Sequence, residues 1–200
     1  FIVILFCYVF TTKAQNLILN GSFELNNATN CTEELQYYEW NSKVQYSTAY
    51  GDFSVLMKDS CERCSSQTFF WGGVQDGNRL AYLFSRASGS QSKFSLQLDS
   101  VLDNDKNYKL SFYMKDPPPP PPIDTPICGD PLNNYVQVGI SNNPTSFGTH
   151  IFTSPFGSTS WQQYSVVFNT QNTEEYLTIE VGTGYYNDFE GIFVDNFVLV

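Results

Sequence analysis

The sequence predicts an all-β fold, an antiparallel β-sandwich of the jelly-roll class with about eight strands. Apolar residues alternate with polar ones at a period of two, as Leu110, Phe112 and Met114 do within residues 108–115. The chain holds 13 Tyr and 17 Phe against 2 Met, and aromatic side chains suit a pleated, half-buried sheet. No segment longer than about ten residues repeats its apolar positions with the period of an amphipathic helix.

The predicted strands follow one another with turn-forming residues between them. They cover residues 17–19, 79–84, 94–98, 108–115, 135–140, 164–168, 176–181 and 191–195. The run from Pro117 to Pro122 cannot lie inside a sheet, because proline has no N–H to donate. We therefore expect a single domain over residues 15–200, with a stiff, proline-rich loop inserted at residues 117–134.

The first ten residues are almost wholly apolar, and Thr12-Lys13-Ala14 follows with small residues at its first and last positions. This pattern is typical of a secretory signal peptide, which we place at residues 1–14 and expect to be truncated at its start. The segment is too short for a transmembrane helix, which needs about 20 residues. A buried first strand is the alternative. The signal peptide predicts a protein that is secreted or displayed on the cell surface.

Acidic residues outnumber basic ones by 20 to 10, which gives a formal net charge of −10. Phosphate binding requires a basic surface, so this excess argues against nucleic acid and anionic membranes as partners. After the signal peptide, no apolar stretch is long enough to insert the mature chain into a membrane.

Four of the five cysteines, Cys31, Cys61, Cys64 and Cys128, remain after the signal peptide. In an exported protein an even number of cysteines indicates disulfides, and four cysteines allow three pairings. Cys61 and Cys64 also have the C-x-x-C spacing of redox and zinc sites. A redox site would open a helix in a βαβ unit, and a zinc site would need a second such pair or two histidines. Because neither is present, we predict two disulfides.

Several segments together resemble galactose-binding-domain-like jelly rolls and the carbohydrate-binding modules with this fold. Residues 16–24 (Asn-Leu-Ile-Leu-Asn-Gly-Ser-Phe-Glu) resemble their first strand, and residues 108–113 (Tyr-Lys-Leu-Ser-Phe-Tyr) their central strand. Residues 161–168 (Trp-Gln-Gln-Tyr-Ser-Val-Val-Phe) and 191–199 (Gly-Ile-Phe-Val-Asp-Asn-Phe-Val-Leu) resemble their last strands. The resemblance implies a binding function, often for carbohydrate.

The order of further motifs is similar to that of N-terminal modules in exported proteins of Bacteroidetes-type bacteria. Glu24, Cys31, Trp40, Cys61 and the segment 76–82 (Asp-Gly-Asn-Arg-Leu-Ala-Tyr) follow one another as they do there. The likeness covers residues 16–200, and the proline-rich insertion is a departure from it.

A glycan site needs exposed aromatic rings on which the C–H faces of sugars can stack, flanked by groups that hydrogen-bond to hydroxyls. The candidates for stacking are aromatic residues in polar or glycine-rich segments. The candidates for hydrogen bonding are the Asn187 amide and the Asp188 carboxylate, which follow two of these rings. The predicted ligand-binding residues are Trp40, Trp71, Tyr185, Tyr186, Asn187 and Asp188. For each ring, packing in the core is the alternative, and Trp161, which starts a strand, is predicted to be a core residue.

The resemblance also implies a structural calcium ion near the first and last strands. These strands often lie side by side in jelly rolls, which would bring Glu24 near Asp195. Carboxylates and backbone carbonyls suit Ca²⁺, which takes about 6–8 oxygen ligands. The alternative is that both carboxylates accept hydrogen bonds from the backbone.

Sequence features of enzymes are sparse. His150 is the single histidine, no Gly-x-Ser-x-Gly motif is present, and the pairs Glu33-Glu34 and Glu174-Glu175 lie in predicted loops. We therefore expect an extracellular binding or adhesion module, directed at glycans or other surface ligands, and no enzyme. The alternative is a structural β-sandwich that spaces other domains and binds no small ligand.

We predict that the mature domain pairs Cys31 with Cys61, across the long loop after the first strand, and Cys64 with Cys128, which would fix the proline-rich insertion. Each bond should add about 2–4 kcal/mol to the free energy of unfolding by restricting the unfolded chain. Thiol titration of the denatured, unreduced protein should find no free sulfhydryl, and the reduced protein is the control. Two or more free thiols would contradict the prediction.

Overall fold

The computed structural model describes residues 15–28, 32–35, 37–51, 55–59, 73–85, 91–117, 134–183 and 190–200. Within these ranges the chain forms one helix and eleven strands. The elements are β1 (Thr32–Leu35), α1 (Tyr37–Lys43), β2 (Ser47–Ala49), β3 (Val55–Asp59), β4 (Arg79–Ser85), β5 (Lys93–Gln97), β6 (Asn107–Lys115), β7 (Asn134–Ser141), β8 (Thr149–Thr153), β9 (Gln162–Asn169), β10 (Tyr176–Thr183) and β11 (Glu190–Leu199).

The strands form two antiparallel sheets. One sheet has the order β1-β3-β4-β11-β6-β9, and the other has the order β2-β5-β10-β7-β8. Most neighbours within each sheet come from distant parts of the sequence, as in jelly rolls, whereas β3 with β4 and β7 with β8 are consecutive. The prediction of an all-β, antiparallel sandwich is confirmed. Residues 1–14 and 118–133 lie outside the described ranges, so the signal peptide and the proline-rich insertion stay predictions.

Every predicted strand from residue 79 onward is confirmed, whereas the first one is wrong. Residues 17–19 form only an isolated bridge, between Ile18 and Leu98. The sequence analysis missed β1, β2, β3 and β8, which have three to five residues each. It also missed α1, whose seven residues are too few to display a helical period.

Phe197 lies at the centre of the aromatic part of the core between the sheets. Its ring is fully buried and stacks on Phe112, with centroids 5.0 Å apart and an interplanar angle of 11°. Phe23 and Phe94 approach the same ring edge-on, at 6.2 Å and 6.5 Å. Such offset and edge-on arrangements are the favoured ones for aromatic pairs. Phe197 thereby links the N-terminal segment, β5 and β6.

A β-bulge in β11 allows Phe197 to enter the core. Val194 and Phe197 are both core residues, although strict alternation would put them on opposite faces of the sheet. The pairing of β11 with β6 shifts between Asp195 and Val198, and Asn196 has a positive φ of 51°. The extra residue changes the alternation after Asp195, so that Phe197 faces the core, whereas Asp195 follows the inward Val194 and lies on the outer side of the six-stranded sheet.

The N-terminal segment runs beside the end of β11, as the jelly-roll resemblance predicts. The amide of Leu17 donates to the carbonyl of Leu199 at 2.8 Å, and the amide of Phe197 donates to the carbonyl of Gly21 at 3.0 Å. A Cβ atom at Gly21 would lie 2.0 Å from the Phe197 carbonyl oxygen, so this close contact requires glycine. The amide group of Asn20 makes three hydrogen bonds to the backbone that follows.

We expect Phe197→Ala to lower the free energy of unfolding by about 3–5 kcal/mol, because it leaves a cavity among three packed rings. Val167→Ala is the matched control, since Val167 is 66% exposed on β9 and its loss should change stability by less than about 0.5 kcal/mol. Urea unfolding measures both. Similar midpoints for the two variants would contradict the central position of Phe197.

Candidate functional site

The outer face of the five-stranded sheet carries the candidate binding site, and we name it the polar sheet face. Because Leu177, Ile179 and Val181 of β10 are buried in the core, the residues between them face outward. The neighbouring strands follow the same alternation in register. The outward residues that form the face are Thr48, Lys93, Ser95, Gln97, Tyr135, Gln137, Gly139, Ser141, Tyr176, Thr178, Glu180 and Gly182.

A groove of about 200 Å³ lies at one end of this face. Tyr46 and Tyr176 contribute aromatic rings to it, and Tyr46 is 45% exposed. The remaining lining is mostly amide and hydroxyl side chains. The described residues that line it are Asn41, Val44, Gln45, Tyr46, Ser47, Thr48, Ser95, Gln97 and Tyr176.

Tyr46 holds an uncommon backbone conformation in the turn between α1 and β2. Its φ is 56°, in the left-handed region that non-glycine residues rarely adopt. The carbonyl of Tyr46 accepts a hydrogen bond from the amide of Gln97 at 2.8 Å, which fixes the turn to β5. Backbone strain of this kind is concentrated at functional sites, and here it belongs to an exposed ring of the groove.

Side-chain hydrogen bonds to the backbone hold the base of the groove in place. The side chain of Asn41 bonds to both backbone groups of Ala49, accepting from its N–H at 2.6 Å and donating to its carbonyl at 3.2 Å. The hydroxyl of Ser47 donates to the carbonyl of Ser95 at 2.9 Å. The groove is therefore largely preformed.

A charged cluster lies farther along the polar sheet face. The Lys93 ammonium is 3.1 Å from the Glu180 carboxylate, and the Tyr50 hydroxyl donates to the same oxygen at 3.5 Å. Burial, followed by the negative charge of Glu180, raises the pKa of Tyr50 above its ordinary value. Tyr50 therefore remains a neutral hydrogen-bond donor at physiological pH.

Trp40 is not an exposed platform for a ligand, so this predicted site residue is a core residue instead. Its side chain is 0% exposed, and its indole Nε1 donates to the Ser47 hydroxyl at 2.9 Å. Its ring lies 6.0 Å from that of Phe23 and 5.7 Å from that of Phe94. The short helix α1, which the sequence did not reveal, turns Trp40 inward. Trp161, predicted to be a core residue, is partly buried against a small outer cluster.

Glu24 and Asp195 bind the backbone of the same loop, residues 73–79. Glu24 Oε1 accepts hydrogen bonds from the amides of Asn78 and Arg79, both at 2.7 Å. Asp195 Oδ2 accepts from the amides of Gln75 and Asp76 at 2.9 Å and 3.0 Å. The two carboxylates thus hold this loop from both of its ends.

Burial raises the pKa of Asp195 to about 7, although three backbone N–H groups, those of residues 75, 76 and 196, favour its charged form. Both of its oxygens accept these bonds. Among the described residues, no group of three or more His, Cys, Asp or Glu side chains could hold a metal ion. The structure therefore matches the backbone-bonding alternative for the two carboxylates, and calcium stays a prediction.

The other sequence-predicted site residues lie outside the described ranges. These are Trp71, Tyr185, Tyr186, Asn187 and Asp188 as ligand-binding residues, and Cys31, Cys61, Cys64 and Cys128 as disulfide partners. Their roles stay predictions.

The sequence analysis missed the residues of the groove. Gln97 and Tyr176 could have been found from alternation, because Leu96 and Leu177 beside them are predicted to face inward. No sequence signal indicates Tyr46, since its left-handed backbone depends on how the turn is bonded to β5.

Comparison with known proteins shows similarity at the level of fold. No protein-family model matches the chain, and no curated protein does either. A solved cyclase from Fischerella sp. TAU, in complex with 4-(1H-indol-3-yl)butan-2-one, is similar with a TM-score of 0.62 and 13% identity, over 94% of this chain and 97% of the cyclase. The Stig cyclase Fisc from the same organism has a TM-score of 0.60 and 13% identity, over 92% of this chain and 95% of its own.

A carbohydrate-binding module is also among the similar structures. It is TmCBM61 in complex with β-1,4-galactotriose, with a TM-score of 0.49 and 13% identity, over 94% of this chain and 99% of the module. At 13% identity the likeness to the two cyclases shows the fold alone.

The expectation that the chain is not an enzyme is contradicted by the comparison with solved structures. The similar cyclases are enzymes, so this sandwich also supports catalysis. The expectation relied on the absence of hydrolase motifs, which test for a few reaction classes only.

No helix in the described part of the chain is long and apolar enough to cross a membrane.

We predict that calcium raises the melting temperature of the wild-type domain and leaves Glu24→Ala unchanged, because the ion would bind this carboxylate and perform no chemistry. Differential scanning calorimetry with calcium and with a chelator measures the difference. Glu39→Ala, which removes a carboxylate of α1, is the control and should keep the calcium response. Identical wild-type melting curves in the two conditions would contradict the prediction, and the role of Glu24 would then be to accept backbone hydrogen bonds.

Proposed function

We propose that the chain is a carbohydrate-binding domain of a secreted or cell-surface protein. The observation that carries the proposal is the groove, in which two tyrosine rings lie beside amide and hydroxyl groups on fixed strands. A sugar has apolar C–H faces and a rim of hydroxyls, and the groove offers a partner to each.

The polar groups of the groove are available to a ligand. Within the described residues, the side chains of Gln45, Thr48 and Gln97 make no hydrogen bond. Each can therefore exchange bound water for a sugar hydroxyl without breaking a bond inside the protein. Because each exchange replaces well-bound water, we expect modest affinity.

The charge distribution favours a neutral glycan. Among the residues that the structure describes, no Lys or Arg side chain lines the groove, and the chain has a formal net charge of −10. Uronic acids and sulfated sugars would meet electrostatic repulsion without a cationic partner.

The alternative of a structural spacer predicts no binding at all. A spacer has no need for a preformed groove, an exposed tyrosine with a strained backbone or unused amide groups. These three features support the binding function.

We expect Tyr176→Ala and Tyr46→Asn each to weaken glycan binding about tenfold, the effect of losing one stacked ring. Asn replaces Tyr46 because it tolerates positive φ, so the turn is retained when the ring is removed. A glycan array identifies ligands, and isothermal titration calorimetry gives their affinities.

Tyr38→Ala is the matched control, since Tyr38 is 60% exposed on α1 and lies outside the groove. Trp71→Ala and Tyr185→Ala, in the same assay, test the rings chosen from the sequence. A folded domain that binds no glycan would favour the spacer, and binding that ignores both groove variants would place the site elsewhere.

A further inference from the structure

The polar sheet face closes within three successive pairs of residues on β5 and β10. The first pair lies at the groove, where Gln97 is exposed and Tyr176 is half-buried. In the second pair, Ser95 is 1% exposed and Thr178 is 0% exposed. Because exposure is lost between these two pairs, the groove ends at the second one. The three pairs, in register, are Gln97 with Tyr176, Ser95 with Thr178, and Lys93 with Glu180.

The third pair forms a barrier behind the second. The Lys93 ammonium lies 3.1 Å from the Glu180 carboxylate, and Glu180 is 9% exposed. The Tyr50 hydroxyl, from the residue that follows β2, donates to the same carboxylate at 3.5 Å. A ligand that continued along β10 would have to break these contacts.

The segment before β8 closes the side of the groove that faces β7. The hydroxyl of Thr178 donates to the carbonyl of Phe147 at 2.6 Å. A Cβ atom at Gly139 would lie 2.5 Å from this carbonyl oxygen and 3.1 Å from the Phe147 ring, so Phe147 covers β7 at this position. Ser141, which pairs with Tyr176, is buried as well.

The helix α1 and the turn after it form the opposite side of the groove. Asn41 lines the groove there, and its side chain is fixed by bonds to both backbone groups of Ala49. The groove is therefore bordered on three sides, and it opens to solvent at Tyr46, Gln97 and Tyr176.

The size and shape of the groove limit which part of a glycan can enter it. Its volume of about 200 Å³ is below the range of about 300–1,000 Å³ for sites that enclose drug-sized ligands, so it holds about one or two sugar units. An internal segment of a glycan continues at both of its ends, and one of these ends would meet the barrier. A terminal segment continues at one end only, which can leave through the open side.

We propose that the groove binds the non-reducing terminus of a neutral glycan. The reducing end of a surface glycan is attached to the protein, lipid or polymer that carries it, so the non-reducing end is the one that is free to enter. This inference rests on the proposed carbohydrate-binding function and names the part of the glycan that is bound.

The first test is a series of oligosaccharides of increasing length, titrated by calorimetry into the whole chain. The probes are β-1,4-linked gluco-, manno- and galacto-oligosaccharides and β-1,3-linked gluco-oligosaccharides, from disaccharide to hexasaccharide. For the series that binds, we expect the affinity to stay constant within about twofold, because the added sugars remain in solvent.

The second test modifies one end of the trisaccharide of that series at a time. Reduction of the reducing-end sugar to its alditol should leave the affinity unchanged. A methyl ether on the terminal hydroxyl that would carry the next sugar, at the non-reducing end, should weaken binding about tenfold or more, because the added group would meet the closed end of the groove.

The variant Tyr176→Ala tests whether all lengths use the same contacts. It should weaken the binding of disaccharide and hexasaccharide by the same factor, about tenfold. Tyr38→Ala, which lies outside the groove, is again the control and should bind both probes as the wild type does.

The outcomes distinguish this inference from the proposed function. A rise in affinity of about tenfold or more from disaccharide to hexasaccharide would overturn the end-specific site and leave carbohydrate binding intact. Undiminished binding of the methylated probe, or loss of binding after reduction of the reducing end, would do the same. Absence of binding of every probe by the folded protein would overturn both.

Discussion

Burial of one side of β10 determines what the other side shows to solvent. Leu177, Ile179 and Val181 fill the space between the sheets, and the two-residue period of a strand then places Tyr176 and Glu180 outward. A register slip of one residue would exchange the two faces and abolish both the core and the polar sheet face. The binding surface therefore follows from the same packing that stabilises the fold.

The site combines rigid support with a small amount of stored strain. The base of the groove is held by side-chain hydrogen bonds, including those of Asn41 to Ala49 and of Ser47 to Ser95. Tyr46 alone departs from ordinary backbone geometry there, and its bond to β5 compensates for this. A preorganised site loses little conformational entropy on binding, which suits a ligand with weak individual contacts.

The shared fold with cyclases illustrates why the sandwich by itself does not specify a function. The packing of the two sheets depends on the residues that face the core, and other apolar residues of similar volume can replace these. Outward residues contribute little to that packing, so the same fold can carry a binding groove or a reaction site. The function of this chain has to be argued from Tyr46, Tyr176 and the polar groups that line the groove with them.

The sequence by itself determined the sandwich class, seven of the strands and the side of β6 that is buried. These depend on alternation, which is a local property readable over five or more residues. Only the tertiary structure decided the short strands, the inward turn of Trp40 and the left-handed Tyr46, because each depends on partners distant in sequence. Glu24 and Asp195 illustrate the same division. The resemblance read from the sequence indicated that they lie near one another. The structure decided that backbone amides of a third segment, residues 73–79, donate hydrogen bonds to both carboxylates.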